Sequence, residues 1–146
     1  MIKDEKGITL VELLGALALM SVVILLISSV HIFGQKQYVN QSQDIENQSN
    51  VRLAIASITK DIRTTDPALI TSPDNSTLII DEKTYTLTNN KITVNGNEMV
   101  SNIAVFNVNK SSNDESNNPY VDMKIESISD PHGNTASLST VIYLRE

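Results

Sequence analysis

Cysteine is absent from the 146 residues, which excludes a disulfide framework, a thiolate metal site and a cysteine nucleophile, and leaves the redox compartment open. Any folded head must therefore hold together by packing. Histidine is scarce: His31 and His132 are the only two, and neither has metal-ligand spacing to a second His. His31 falls near the outer end of an apolar run and reads as an interfacial residue. His132 lies in Asp130-Pro131-His132-Gly133 and reads as a turn residue. There is no glycine-rich phosphate loop, no nucleophile elbow and no spaced carboxylate pair with supporting residues, so the sequence offers no enzymatic constellation and calls for no cofactor. Asn113, Asp114, Glu115 and Asn117 could offer oxygen ligands to calcium, but without the ordered alternation of a calcium loop, and a solvated loop is the simpler reading.

Charge is also missing from one long stretch. Between Leu13 and Gly34 no residue is formally charged apart from a protonatable His31. The length of the whole chain suits one domain, and its formal net charge is −6. From Gln35 to Arg63 the charges nearly balance, with Lys36, Arg52, Lys60 and Arg63 against Asp44, Glu46 and Asp61. From Thr64 onward five bases face eleven acids. The C-terminal part thus carries the negative charge and repels phosphate, which argues against direct nucleic-acid binding.

The uncharged stretch is long enough to span a bilayer, since about 20 helical residues cross a hydrocarbon core of roughly 30 Å. Lys3 and Lys6 precede it and favour a cytoplasmic N-terminus with an exported C-terminal part. Three readings follow. An ordinary secretory signal would use Ala16-Leu17-Ala18 for cleavage, but those residues lie inside the apolar run and not after it. A plain signal anchor explains the apolar length but gives no reason for a carboxylate at Glu12, where a charge costs roughly 2 to 4 kcal/mol near the bilayer centre and less toward the interface. The third reading accounts for the leader, Glu12 and the apolar run together.

Lys6-Gly7-Ile8-Thr9-Leu10-Val11-Glu12-Leu13-Leu14 resembles the class III signal sequence of type IV prepilins. The resemblance implies that a prepilin peptidase removes residues 1–7 by cutting between Gly7 and Ile8, and that the new N-terminus at Ile8 is methylated. Glu12 becomes the fifth residue of the mature chain. A carboxylate in the apolar segment is tolerable if a neighbouring subunit's N-terminal amine pairs with it, which would set the register of assembly. Glycine before the cut allows close approach by a protease.

Beyond the apolar run, Val51, Ile55, Ile58 and Ile62 recur at helical spacing with Ala54 beside them, and Arg52, Lys60, Asp61 and Arg63 fall largely outside that stripe. Pro67 ends the helix at or before Asp66. Residues 35–50 are rich in Gln, Asn and Ser and admit either a solvated helix or a hinge, with helix favoured. A continuous helix from Ile8 to Thr65 would measure about 85 to 90 Å. After Pro67 the pattern alternates. Thr77-Leu78-Ile79-Ile80, Thr84-Tyr85-Thr86-Leu87 and Lys91-Ile92-Thr93-Val94 are β-prone, separated by Asp81-Glu82 and Asn89-Asn90 and followed by Asn95-Gly96, all suited to tight turns. Further strands are expected at 103–108, 120–128 and 138–144, with a polar loop over 110–118.

The expected fold class is α+β: a long N-terminal helix, its hydrophobic half (8–34) spanning the membrane and its amphipathic half (35–66) packed on an antiparallel sheet (67–146). This is also the pilin architecture. Val51-Arg52-Leu53-Ala54 with Ile58-Thr59-Lys60-Asp61-Ile62-Arg63, Tyr85-Thr86-Leu87 with Lys91-Ile92, and Ile103-Ala104-Val105-Phe106 are similar to blocks of J-type and competence minor pseudopilins. No proline lies between Ile8 and Asp66 and no C-terminal cysteine pair exists, and both departures from major pilins tilt toward a minor subunit. Retention of Glu12 tells against the tip-most pseudopilin type. The expected partners are a prepilin peptidase, other pilin or pseudopilin subunits, the inner-membrane assembly platform and the lipid bilayer. The alternative function is a membrane-anchored extracellular binding domain that does not polymerise.

Overall fold

A computed structural model describes residues 7–111 and 119–144. The chain divides into two compact units, residues 1–39 and 40–146. One helix, α1, runs Leu10–Thr64 and contributes to both.

In the first unit every described residue of the apolar run is exposed. The helix is long and apolar enough to cross a membrane. Its serines do not conflict with such a medium. Ser21 donates to the Ala18 carbonyl at 2.7 Å, Ser28 to that of Ile24 at 2.8 Å and Ser29 to that of Leu25 at 2.9 Å, so each hydroxyl is satisfied inside the helix.

In the second unit the remainder of α1 packs against antiparallel sheets. Val51, Ala54, Ile58 and Ile62 are buried, as the spacing predicts. The Gln/Asn/Ser-rich stretch is helical, and its polar residues on the same face meet the head. Asn47 is buried and donates from Nδ2 to the Ile128 carbonyl at 3.3 Å. Asn50 donates to the Ser101 carbonyl at 3.1 Å, and Asn40 Nδ2 lies 2.7 Å from His132 Nε2. The core-facing stripe therefore continues toward the N-terminus as Asn40, Asp44 and Asn47, a polar seam in register with the apolar one. After α1, Asp66 Oδ1 accepts from the Ala68 amide at 2.9 Å and Pro67 opens a short 3-10 turn, Pro67–Leu69.

Eight strands follow. β1 (Ile70–Asp74), β2 (Thr77–Ile80), β3 (Lys83–Thr88), β4 (Lys91–Val94) and β5 (Asn97–Val100) form one five-stranded sheet in chain order. β6 (Ile103–Ser111), β7 (Tyr120–Ser127) and β8 (Ser137–Tyr143) form a second, three-stranded sheet. All pairs are antiparallel. The turns use residues that tolerate positive φ: Asp81 at 54°, Asn89 and Asn90 at 50° and 60°, Asn95 and Gly96 at 51° and 81°.

The head thus has two sheets where a single one was expected. The sequence reading missed β1 and β5. β1 contains Pro73 and a register irregularity against β2, and β5 contains Asn97 and Glu98 and shifts register against β4. Lys110 and Ser111, expected in a loop, close β6; residues 112–118 of that expected loop lie outside the described residues. The sheets are tied by the Val108 amide donating to the Asn75 carbonyl at 2.9 Å. Lys110 Nζ also donates to the Pro67 and Ile70 carbonyls, each at 2.7 Å. Tyr85, Ile92, Ile103, Val108, Met123 and Ile125 fill the core with the helix stripe.

Candidate processing and assembly site

Gly7, Ile8 and Thr9 precede the first turn of α1. The expected helix start at Ile8 is therefore displaced to Leu10, because Thr9 caps the helix. Its carbonyl accepts from the Leu13 amide at 3.1 Å, the first intrahelical bond. Thr9 Oγ1 accepts from the Glu12 amide at 3.3 Å. Glu12 Oε2 in turn accepts from the Thr9 amide at 2.9 Å and from the Thr9 hydroxyl at 2.8 Å. This reciprocal exchange is a capping box, and it satisfies amides that a helix start otherwise leaves without partners. Thr9-Leu10-Val11-Glu12 ahead of an apolar run is its sequence signature, and the sequence reading above gave Glu12 no such role.

The residues on either side of the peptide bond in question are open. A side chain added at Gly7 would meet nothing within 4 Å, and of the described glycines only Gly96 and Gly133 have positive φ. Ile8 is 79% exposed. Among the described residues neither packing nor backbone conformation requires glycine at position 7, and the Gly7-Ile8 bond is held in no regular structure.

Residues 2–28 match the family model described as the prokaryotic N-terminal methylation motif. The N-terminus is type IV pilin-like. The matched span contains Gly7, Ile8, Thr9 and Glu12 together with most of the apolar run. Such a motif implies cleavage by a prepilin peptidase and assembly with other pilins. No curated protein and no solved structure matches the chain.

His31 Nε2 lies 3.0 Å from Gln35 Nε2, one helical turn on. His132 is in the turn between β7 and β8, where the buried Asp130 accepts from the His132 amide at 2.8 Å and the Asn134 amide at 2.7 Å. Desolvation and the neighbouring Asp130 carboxyl push Asp44 above the usual carboxylate range. Asp130 is desolvated too, yet the bonds from Asn134 and the His132 amide hold it below that range. Among the described residues no three His, Asp or Glu side chains come together as a metal site. Asn113, Asp114, Glu115 and Asn117 lie outside the described residues.

Proposed function

We propose that the chain is a minor pilin or pseudopilin subunit, cut between Gly7 and Ile8, methylated at Ile8 and assembled through its N-terminal helix into a type IV pilus, a type II secretion pseudopilus or a competence pseudopilus. The observation that carries this reading is the methylation motif over residues 2–28, coinciding with an exposed peptide bond just ahead of the helix cap. Gly7 supports it further: a glycine that the fold does not need fits a requirement imposed from outside the chain, such as close approach by a peptidase.

Glu12 fits assembly as well as capping. Both Thr9 donors go to Oε2, and Oε1 has no partner among the described residues, which leaves one carboxylate oxygen for a neighbour's N-terminal amine. Inside a bilayer that pairing would offset the cost of the charge. Lys3 and Lys6 favour a single-pass orientation with the N-terminus in the cytoplasm and the head outside, and the assembly platform of the inner membrane would extract the subunit from there.

A second reading has a specific observation in its favour. The capping box accounts for Glu12 within one chain, so a membrane-anchored binding domain that never polymerises also explains this residue. Co-expression with and without a prepilin peptidase separates the two. The subunit loses residues 1–7 only when the peptidase is present, whereas the anchored domain keeps Met1 in both cases.

A further inference from the structure

The described lysines and arginines of the second unit fall into two sets. Every lysine in its described strands is engaged: Lys83 with Asp61 at 2.8 Å, Lys91 with Glu98 at 2.6 Å, Lys124 with Glu126 at 3.1 Å, and Lys110 with two carbonyls. Arg52, Lys60 and Arg63 on α1 are exposed and form no salt bridge or hydrogen bond among the described residues. They lie on one helix face. Ile45, Ser49, Arg52, Ala56, Lys60 and Arg63 recur at spacings of three and four, and all are exposed, opposite the buried stripe. No acid shares that line. Ile45 is 69% exposed, and Leu53 beside the line is 54% exposed, while Ser49 and Ala56 keep its middle flat.

The same unit carries an unanswered acidic feature. Asp81 and Glu82 form the turn between β2 and β3, both are exposed, and neither carboxylate has a partner among the described residues.

We propose that the basic outward face of α1, centred on Arg52, Lys60 and Arg63, docks on the acidic Asp81-Glu82 turn of a second copy of the chain. The inference rests on the proposed assembly into a fibre and names a contact between heads within it. Charge complementarity selects the occupant, because the helix cations that form no salt bridge among the described residues, with Lys60 beside Asp61, meet carboxylates on the sheet that form none either. The geometry of such a pair also matters. A face-to-turn contact joins two different surfaces, so where it is made in one direction only and the rotation does not close, it repeats along a helical filament. A phosphate-rich surface is a poorer occupant, since it would face the acidic remainder of the head.

The absence of cysteine allows a clean test in the full chain. Ala56→Cys is placed in one tagged copy and Asn97→Cys, just after the β4–β5 turn whose Asn95 bonds the Glu82 carbonyl, in a second, and both are co-expressed with a prepilin peptidase and treated with a short thiol cross-linker in membranes. The expected result is a cross-linked pair several-fold more abundant than when the second copy carries Asn107→Cys on the exposed face of β6. That excess should fall several-fold near 1 M salt, where the Debye length shrinks to about 3 Å. R52E/K60E/R63E should abolish it, and Asp81→Lys in the partner copy should restore part of it. Cross-linking that survives the charge reversal, or that is equal for Asn107→Cys, overturns the contact. So does a reversal that releases the chain from anionic vesicles or nucleic acid while the cross-link stays. N-terminal analysis of the same sample separates the two levels: a processed chain without the cross-link overturns this contact alone, and an unprocessed one overturns the fibre reading with it.

Discussion

The Tyr85 hydroxyl donates to the same Asp61 oxygen that Lys83 reaches at 2.8 Å, so one carboxylate ties α1 to β3 by two donors. The Tyr85 ring is buried and its hydroxyl has no other partner among the described residues, while Asp61 keeps a side-chain exposure of 19%. Burial and the Asp61 carboxylate push the Tyr85 phenol well above its usual range. Asp61 is raised by burial, but the bonds from Lys83 and Tyr85 outweigh that and hold it below the usual carboxylate value.

Removing the hydroxyl should destabilise the head without emptying the core. A hydrogen bond to a charged group contributes about 1.5 to 3 kcal/mol, and Lys83 would still pair with Asp61, so Tyr85→Phe is expected to cost about 1 to 2 kcal/mol in urea unfolding of the protein in mild detergent. Unchanged stability would show the bond to be unimportant. The pH dependence has a definite sign on each side. Asp61 is depressed when folded, so its contribution is present above the usual carboxylate value of 3.8 and lost as pH falls through its lower folded value. Tyr85 is raised when folded, so its contribution is complete below the usual phenol value of 10.0 and lost as pH rises toward its folded value. Tyr85→Phe should remove the alkaline loss that comes from this phenol.

Asn47 tests the polar seam. Its amide is one of two donors to the Ile128 carbonyl, which also accepts from the Ser127 hydroxyl at 2.9 Å, so Asn47→Ala removes one buried bond, at an expected cost of about 0.5 to 1.5 kcal/mol. The neighbouring exposed Gln48→Ala should stay within about 0.5 kcal/mol of the parent. Equal effects of the two substitutions in the same denaturation series would show that residues 40–50 do not dock.

Capping and charge pairing at Glu12 can be told apart by two substitutions. Glu12→Gln keeps an oxygen that can accept from Thr9 but removes the charge, and Thr9→Ala does the reverse at a typical capping cost of about 1 kcal/mol. If Glu12 serves assembly through its charge, fibre yield measured by shearing should collapse in Glu12→Gln and persist in Thr9→Ala. The opposite ranking assigns Glu12 to the helix start alone.

Much of this fold is legible because its periodicities are strong. Val51, Ala54, Ile58 and Ile62 mark a core face by spacing, and Thr77–Ile80 and Lys91–Val94 appear as strands with the bounds read from their alternation and flanking turns. The misses share a physical origin. β1 and β5 are held by pairing to β2 and β4, and their own residues, with Pro73, Asn97 and Glu98 among them, argue weakly for strand. Asn40 and Asn47 are polar residues in core-facing positions, and an apolar stripe cannot reveal partners such as the Ile128 carbonyl that the fold brings to them. At the candidate site Gly7, Ile8 and Glu12 stand out in sequence, whereas the Thr9 half of the box was available at the right spacing and passed over.

The most direct test of the account is the intact mass and N-terminal residue of the full chain expressed with a prepilin peptidase, beside a Gly7→Ala variant. The account predicts that the parent begins at an N-methylated Ile8 and that Gly7→Ala retains Met1, even though the substitution meets no atom within 4 Å in the fold. A Met1 start in both proteins would contradict it and leave an anchored, unprocessed domain.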